Sequence, residues 1–127
     1  MTKLKGIVPM LETDDLRGSI EYYQSVLGFE CKGVWPEEGE VCWASMHRDD
    51  AIIMLCVMND RHGQTKPVMT GTLYLYPSDI DIAWSELKDK AKICYPIETF
   101  DYGMREFGVL DNNGYLLQFG QDLQDVN

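Results

Sequence analysis

Long apolar runs are missing from this chain, and none approaches the ~20 residues a membrane-spanning helix needs. The first residues, MTKLKGIVPML, lack the apolar centre and small-residue cleavage site of a signal peptide. Clustered cations are missing too. Eleven lysines and arginines lie scattered among 21 aspartates and glutamates, for a net charge of −10. A phosphate-backbone partner needs grouped cations, so nucleic acid is excluded as a partner. Four cysteines, Cys31, Cys42, Cys56 and Cys94, show no C-x-x-C spacing. They read as reduced, mostly buried thiols rather than a disulfide framework. These absences predict a cytoplasmic chain with no membrane partner. The acidity confers solubility or gathers cationic ligands near a cleft, and charge alone does not separate the two.

What is present is a pattern used twice. The 127 residues suffice for one domain with a real core. Lys5 to Glu12 reads as a strand, with Pro9 implying an edge or an irregularity. Thr13-Asp14-Asp15 offers helix caps, Leu16, Ile20, Tyr23 and Leu27 follow at helical spacing, and Gly28 stands where a helix ends. Strands are predicted over Phe29 to Trp35, Val41 to Arg48 and Ala51 to Met58, before a polar connection rich in turn formers. Met69 to Tyr76 then reads as a strand. Ser78 with Asp81 resembles a capping box, and Ile80, Ala83, Leu87 and Ala91 form a second buried stripe. A strand over Lys92 to Ile97 and a hairpin from Met104 to Gln121 complete the second half. Leu16 and Ile80, Val41 and Arg105, and Ile52 and Leu116 are each 64 residues apart. That common offset predicts an α+β chain of two βαβββ modules, spanning about 4–58 and 68–122 with a linker over 59–67.

The final hairpin is the most informative stretch. Asp111-Asn112-Asn113-Gly114 supplies the turn. Alternation sends Phe107, Val109, Leu117 and Phe119 to one face, suited to a helix. Glu106, Gly108, Leu116 and Gln118 go to the other, where an acid and an amide among apolar neighbours suit a ligand.

PMLETDDLRGSIEYYQSVLGFE and YGMREFGVLDNNGYLLQFGQD, with HRDDAIIMLCV and IDIAWSEL between them, carry a resemblance. They are similar to the vicinal oxygen chelate superfamily, which includes glyoxalase I, bleomycin-resistance proteins and extradiol dioxygenases. The final segment is nearest the bleomycin-resistance branch. The resemblance implies paired modules forming a concave, incomplete barrel-like sheet with helices on the outside, and a homodimer with cavities at its interface. It also implies metal-ligand positions, which fall here on Val8, Met54, Thr72 and Gln118. Valine has no donor atom, methionine is too soft, and threonine is weak. Of the two histidines, His47 is expected to cap a strand end and His62 to lie in the linker. No metal, cofactor or catalytic residue is therefore predicted.

Parity extends the candidate lining. With Val8, Met54, Thr72 and Gln118 facing inward, Met10, Ile52, Cys56, Tyr74, Tyr76, Leu116, Glu106 and Gly108 join them. Cys42, Ala44 and Met46 are expected from the first half, and Leu11, Ile53, Leu55, Leu73, Leu75, Leu117 and Phe119 face the helices. Glu106 is either an inward carboxylate, anchoring a cation or serving as a base, or a structural acid paired to Arg105 or Arg48. Tyr74 and Tyr76 bond a ligand or fill the sheet. Trp43 and Trp84 are expected in the core or at an interface, whereas Trp35 beside Pro36 and Tyr102 before Gly103 are placed to stack on a ligand. Cys42 and Cys56 suit small buried hydrophobes better than nucleophiles. The predicted site is Trp35, Cys42, Met54, Thr72, Tyr74, Tyr102, Glu106 and Gln118, holding an aromatic or cationic organic ligand without metal. The alternative is a lyase, isomerase or dioxygenase-type enzyme of the same superfamily.

Overall fold

In a computed structural model, residues 1–125 are described except 60, 62 and 64, so the expectation for His62 lies outside the described residues. The first strand, β1 (Met10–Thr13), is shorter than the Lys5 to Glu12 expected. Pro9 stops it, because the chain joins the sheet only where Met54 N–H reaches Pro9 O at 2.9 Å. Asp15 then caps α1 (Leu16–Ser25), its carboxylate accepting from Gly18 N at 3.0 Å. Beyond the helix Gly28 takes φ +76°, which lets Phe29 N–H turn back to Tyr23 O at 2.8 Å. The chain continues through β2 (Glu30–Trp35), β3 (Trp43–Arg48) and β4 (Ala51–Val57).

The second half follows with β5 (Leu73–Leu75), α2 (Ile80–Leu87), β6 (Lys92–Thr99), β7 (Met104–Leu110) and β8 (Leu116–Asp122), ending in a short 3-10 turn over Leu123–Asp125. Asp79, not Ser78, caps α2, its carboxylate accepting from Asp81 N and Ile82 N at 3.1 Å. The expected Ser78–Asp81 box does not form, because the Asp81 carboxylate is taken by Arg105 at 3.1 Å.

Two four-stranded mixed sheets result, in the orders β1-β4-β3-β2 and β5-β8-β7-β6, neither closed into a barrel. In each, the first strand runs parallel to the last. Met10 pairs with Met54 and Tyr74 with Gln118, so these registers repeat at an offset of 64. Each helix packs on its own sheet. Leu11, Leu16, Tyr23, Ile53 and Leu55 are buried in the first half, and Ile80, Ala83, Leu87, Phe107, Val109, Leu117 and Phe119 in the second. Leu73 and Leu75 are half-buried. The predicted helix-facing set therefore holds.

The offset breaks in one place, with consequences for the site. Cys56 and Gly120 are 64 residues apart, but their cross-strand partners Trp43 and Glu106 are 63 apart. The cause is turn length. Two residues, Asp49 and Asp50, separate the paired Arg48 and Ala51, with Asp49 at φ +52°. Three residues separate the equivalent Asp111 and Tyr115, joined by Asp111 N–H to Tyr115 O at 2.9 Å. A one-residue slip moves every side chain of β3 to the opposite face. Ala44 and Met46 consequently pair with Leu55 and Ile53 and are fully buried on the helix side, not on the concave face as expected. Cys42, whose carbonyl accepts from Val57 N, shares their parity. Trp43, Ser45 and His47 share a face with Cys56, Met54 and Ile52, so Trp43 lies away from the helix and not on the helix-facing side expected, while His47 stands next to the end of β3.

The halves join through α1 and the longer turn. Tyr23 Oη donates to Asp111 Oδ2 at 2.7 Å, Tyr22 Oη donates to Leu110 O at 3.1 Å, and Asn112 Nδ2 donates to Ser19 Oγ at 2.9 Å. On the opposite side Arg48 bridges Leu27 O at 2.9 Å and the Glu86 carboxylate of α2 at 3.1 Å.

Candidate functional site

On the second sheet, the face turned away from α2 carries a polar cluster built around Glu106. Its position in β7 follows from alternation: Phe107 faces the helix, so its neighbour faces away. Glu106 is only 1% exposed. Tyr95 Oη donates to its Oε2 at 2.9 Å, and Gln118 Nε2 donates to Tyr95 Oη at 2.8 Å. Two glycines make room. A Cβ on Gly108 would strike the Tyr95 ring, and one on Gly120 would strike the Tyr74 hydroxyl. Each tyrosine thus occupies the space that a glycine leaves free.

The electrostatics are unusual in one respect. No cation pairs with Glu106 among the described residues. Arg105 is held by Asp81 and Thr99, and Arg48 by Leu27 and Glu86, so neither arginine partners it as one expectation had it. Burial, with the Glu106 carboxylate beside it, pushes the Tyr74 phenol well above its ordinary value, yet Tyr74 Oη, itself buried, completes no hydrogen bond. Burial also pushes Tyr95 up to about 12, the Gln118 bond opposing and Glu106 reinforcing the rise. The cluster therefore presents a buried acid and an unsatisfied hydroxyl, both costly to leave alone.

An aromatic run leads outward from this cluster. Tyr95 meets Phe100 edge-on at 6.0 Å, and Phe100 stacks on Tyr102 at 5.4 Å with rings 7° from parallel. Tyr102 is exposed, as is Tyr76, whose ring lies 5.1 Å from that of Tyr74. Sequence reasoning named Tyr74, Tyr102, Glu106 and Gln118, which this sheet gathers. It missed Tyr95 and Phe100.

The equivalent face of the first sheet carries Trp43, Ser45, His47 and Met54, with Ser45 Oγ and His47 Nε2 2.8 Å apart. Trp35, 63% exposed, closes β2 opposite Trp43. Burial, then Glu12 and Cys42, push the Cys56 thiol up, which disfavours a thiolate there. No hydrogen bond or ring contact joins this face to Glu106 among the described residues. Thr72 lies outside both clusters, its hydroxyl donating to Leu116 O at 2.9 Å.

The implied metal positions do not fit a divalent ion. Val8 has no donor and lies outside β1, Met54 offers a thioether, Thr72 gives its proton to a carbonyl, and Gln118 directs its amide nitrogen to Tyr95. Among the described residues, no three His, Cys, Asp or Glu side chains gather as a metal site. No described helix is long and apolar enough to cross a membrane.

Comparison with known proteins places the chain in a family and a fold. Residues 8–119 match the sequence profile of the Glyoxalase/Bleomycin resistance protein/Dioxygenase superfamily. No curated protein matches the sequence. Among solved structures, TnmS3, an antibiotic binding protein from Streptomyces sp. CB03234, superposes with a TM-score of 0.75 at 17% identity, over 96% of this chain and 98% of that one. TioX from Micromonospora sp. ML1 gives 0.73 at 20% identity, over 92% and 95%. The bleomycin-binding protein from Streptomyces verticillus, solved with copper(II)-bleomycin, gives 0.67 at 22% identity, over 94% and 97%. At these identities the likeness is one of fold.

Proposed function

Because the chain belongs to the Glyoxalase/Bleomycin resistance protein/Dioxygenase superfamily, we propose that it binds a small organic molecule, aromatic or cationic, without transforming it. The observation that carries this reading is Glu106. A carboxylate 1% exposed, with neutral phenols beside it and no cation among the described residues, lacks the partner that buried charges ordinarily have. A ligand ammonium or guanidinium supplies it, while the Tyr74 hydroxyl offers a donor to an adjacent ligand acceptor. The Phe100–Tyr102 stack and Tyr76 form the aromatic approach, on which a cationic or flat ligand gains further contact.

The wall opposite comes from a second copy of the chain. Met54, Trp43 and Trp35 of one protomer face Tyr74, Tyr95, Tyr102, Glu106 and Gln118 of the other across a dimer-interface cavity. The half-buried Met54, Trp43, Tyr74 and Gln118 on these faces support this arrangement, and the antibiotic- and bleomycin-binding of two proteins that share the fold supports a small-molecule ligand. Cys42 and Thr72 stay out of the lining, by parity and by the Thr72 bond to Leu116.

Thermal-shift screening against cationic glycopeptides, aromatic antibiotics and α-keto thioesters tests the proposal. A cationic or aromatic hit whose stabilisation disappears in Glu106→Gln supports it. A hit that Glu106→Gln leaves at full strength overturns the role of Glu106, and consumption of an α-keto thioester overturns the non-catalytic reading.

A further inference from the structure

A small cavity of about 140 Å³ lies along β1, the outermost strand of the first sheet, where the segment leading into β5 passes beside it. Met10 of β1, Met58 just beyond β4 and Met69 ahead of β5 all line it. Three of the chain's seven methionines, from three separate stretches of sequence, therefore meet in one place. None of the residues gathered around Glu106 takes part.

Core packing does not account for these methionines. Methionine commonly fills gaps in a packed interior. Here Met10 is 53% exposed, and Met58 and Met69 are only half-buried. Nor does the fold require them. At the 64-residue offset Met10, Met58 and Met69 correspond to Tyr74, Asp122 and Lys5, so the repeat is built elsewhere without a thioether at any of the three positions.

The cavity offers soft sulfur and little hard oxygen. Its volume is below the roughly 300 Å³ at which pockets for organic ligands begin, and it is large enough for an ion. Neutral thioethers select Cu(I) over divalent ions, which seek carboxylates or imidazoles. Glu12 is the one carboxylate in the lining, and no histidine or cysteine joins it. Half-buried, it accepts from Asn59 N at 3.3 Å and makes no ion pair among the described residues, so its charge is available to balance a monovalent cation. Lys66, the opposite charge in the lining, is exposed and screened by solvent.

We propose that Met10, Met58 and Met69 form a binding site for a soft monovalent metal ion, Cu(I), separate from the organic-ligand cavity. An ion held by all three ties the outer strand of the first module to the connection that enters the second. The site is complete within one chain and does not depend on the dimer.

Silver nitrate supplies Ag(I) as a redox-inert probe. The four cysteines also take soft ions, so the readout is the methionine methyl groups, labelled with 13C in the full chain. Three methyl signals are expected to move together during the titration, with one midpoint. Met10→Leu, Met58→Leu and Met69→Leu identify them, and each is expected to weaken the response of the other two at least about tenfold. Leucine nearly matches the volume of methionine, so these variants keep the fold, which circular dichroism checks. Should one of them unfold, the other two still decide the matter. If silver moves no methionine signal, or moves these three at unrelated concentrations, the thioethers do not act as one site and the proposal falls. If Zn(II) moves them at the same concentration as Ag(I), the assignment to a soft ion falls.

Discussion

Tyr23 and Asp111, 88 residues apart in the chain, meet at 2.7 Å where α1 of the first module docks on the last turn of the second. Tyr23 is fully buried and Asp111 is 4% exposed. Asp111 also accepts from the backbone N–H groups of Asn113 at 2.8 Å and Tyr115 at 2.9 Å, so one carboxylate fixes the turn and the packing of the halves together. Tyr23→Phe keeps the ring against Phe29, 5.6 Å away, and removes only the donor. A hydrogen bond to a buried charge contributes about 1.5–3 kcal/mol, and that loss is expected in urea unfolding with an unchanged m-value.

Gly108 and Gly120 are predicted to be more sensitive than their small size suggests. Gly108→Ala drives a methyl group into the Tyr95 ring, and Gly120→Ala drives one into the Tyr74 hydroxyl. Neither ring yields freely beside the buried Glu106. Each substitution is expected to destabilise by about 1–3 kcal/mol, the usual cost of overpacking. Each also displaces a tyrosine from the carboxylate. Ligand stabilisation should therefore fall in both variants, even at temperatures where they remain folded by circular dichroism.

Alkali should loosen the fold through these same phenols. Burial pushes Tyr95 and Tyr115 from 10.0 up to about 12, with Asp111 and Glu12 reinforcing the rise for Tyr115. Tyr23 and Tyr74 move in the same direction. A raised pKa means the unfolded chain releases its protons first as pH increases. The contribution of Tyr95 and Tyr115 is thus fully present below pH 10 and is lost between about 10 and 12. Thermal unfolding across that range should show a falling midpoint. Phenolate absorbance titrating near 10 in the folded chain for all seven tyrosines would contradict this.

Much of the architecture was legible because apolar period and turn chemistry agreed. Leu16, Tyr23 and Leu27 gave α1, Phe107, Val109, Leu117 and Phe119 gave the buried face of the last hairpin, and all seven are buried. The repeat was legible from the 64-residue offset, but it misplaced β3. Turn signals mark a reversal without fixing its length to one residue, and alternation turns that single residue into a swap of faces. Tyr95 stayed hidden for a related reason. β6 shifts register between Ile93 and Tyr95 and again before Glu98, so simple alternation does not say where Tyr95 points. The orphan Tyr74 hydroxyl and the lack of a cation at Glu106 are properties of the assembled site, since the sequence offered Arg105 as an adjacent partner.

The corrected register of β3 makes its own prediction about the three tryptophans. Ala44 is fully buried under the helix, so Ala44→Leu should overpack the core and cost about 1–3 kcal/mol. Trp43, on the other face and only half-buried, should tolerate Trp43→Phe with a smaller change in stability. Under the unshifted 64-residue offset the sensitivities would reverse. Fluorescence separates the tryptophans further. Trp84 packs against Phe107 at 5.1 Å between α2 and its sheet, away from the concave face, and its emission should ignore a ligand. Trp35 and Trp43 border the proposed cavity wall, so a bound aromatic guest should quench them. Quenching that survives in the double variant Trp35→Phe, Trp43→Phe would place the ligand near Trp84 instead, in conflict with a cavity on the concave face.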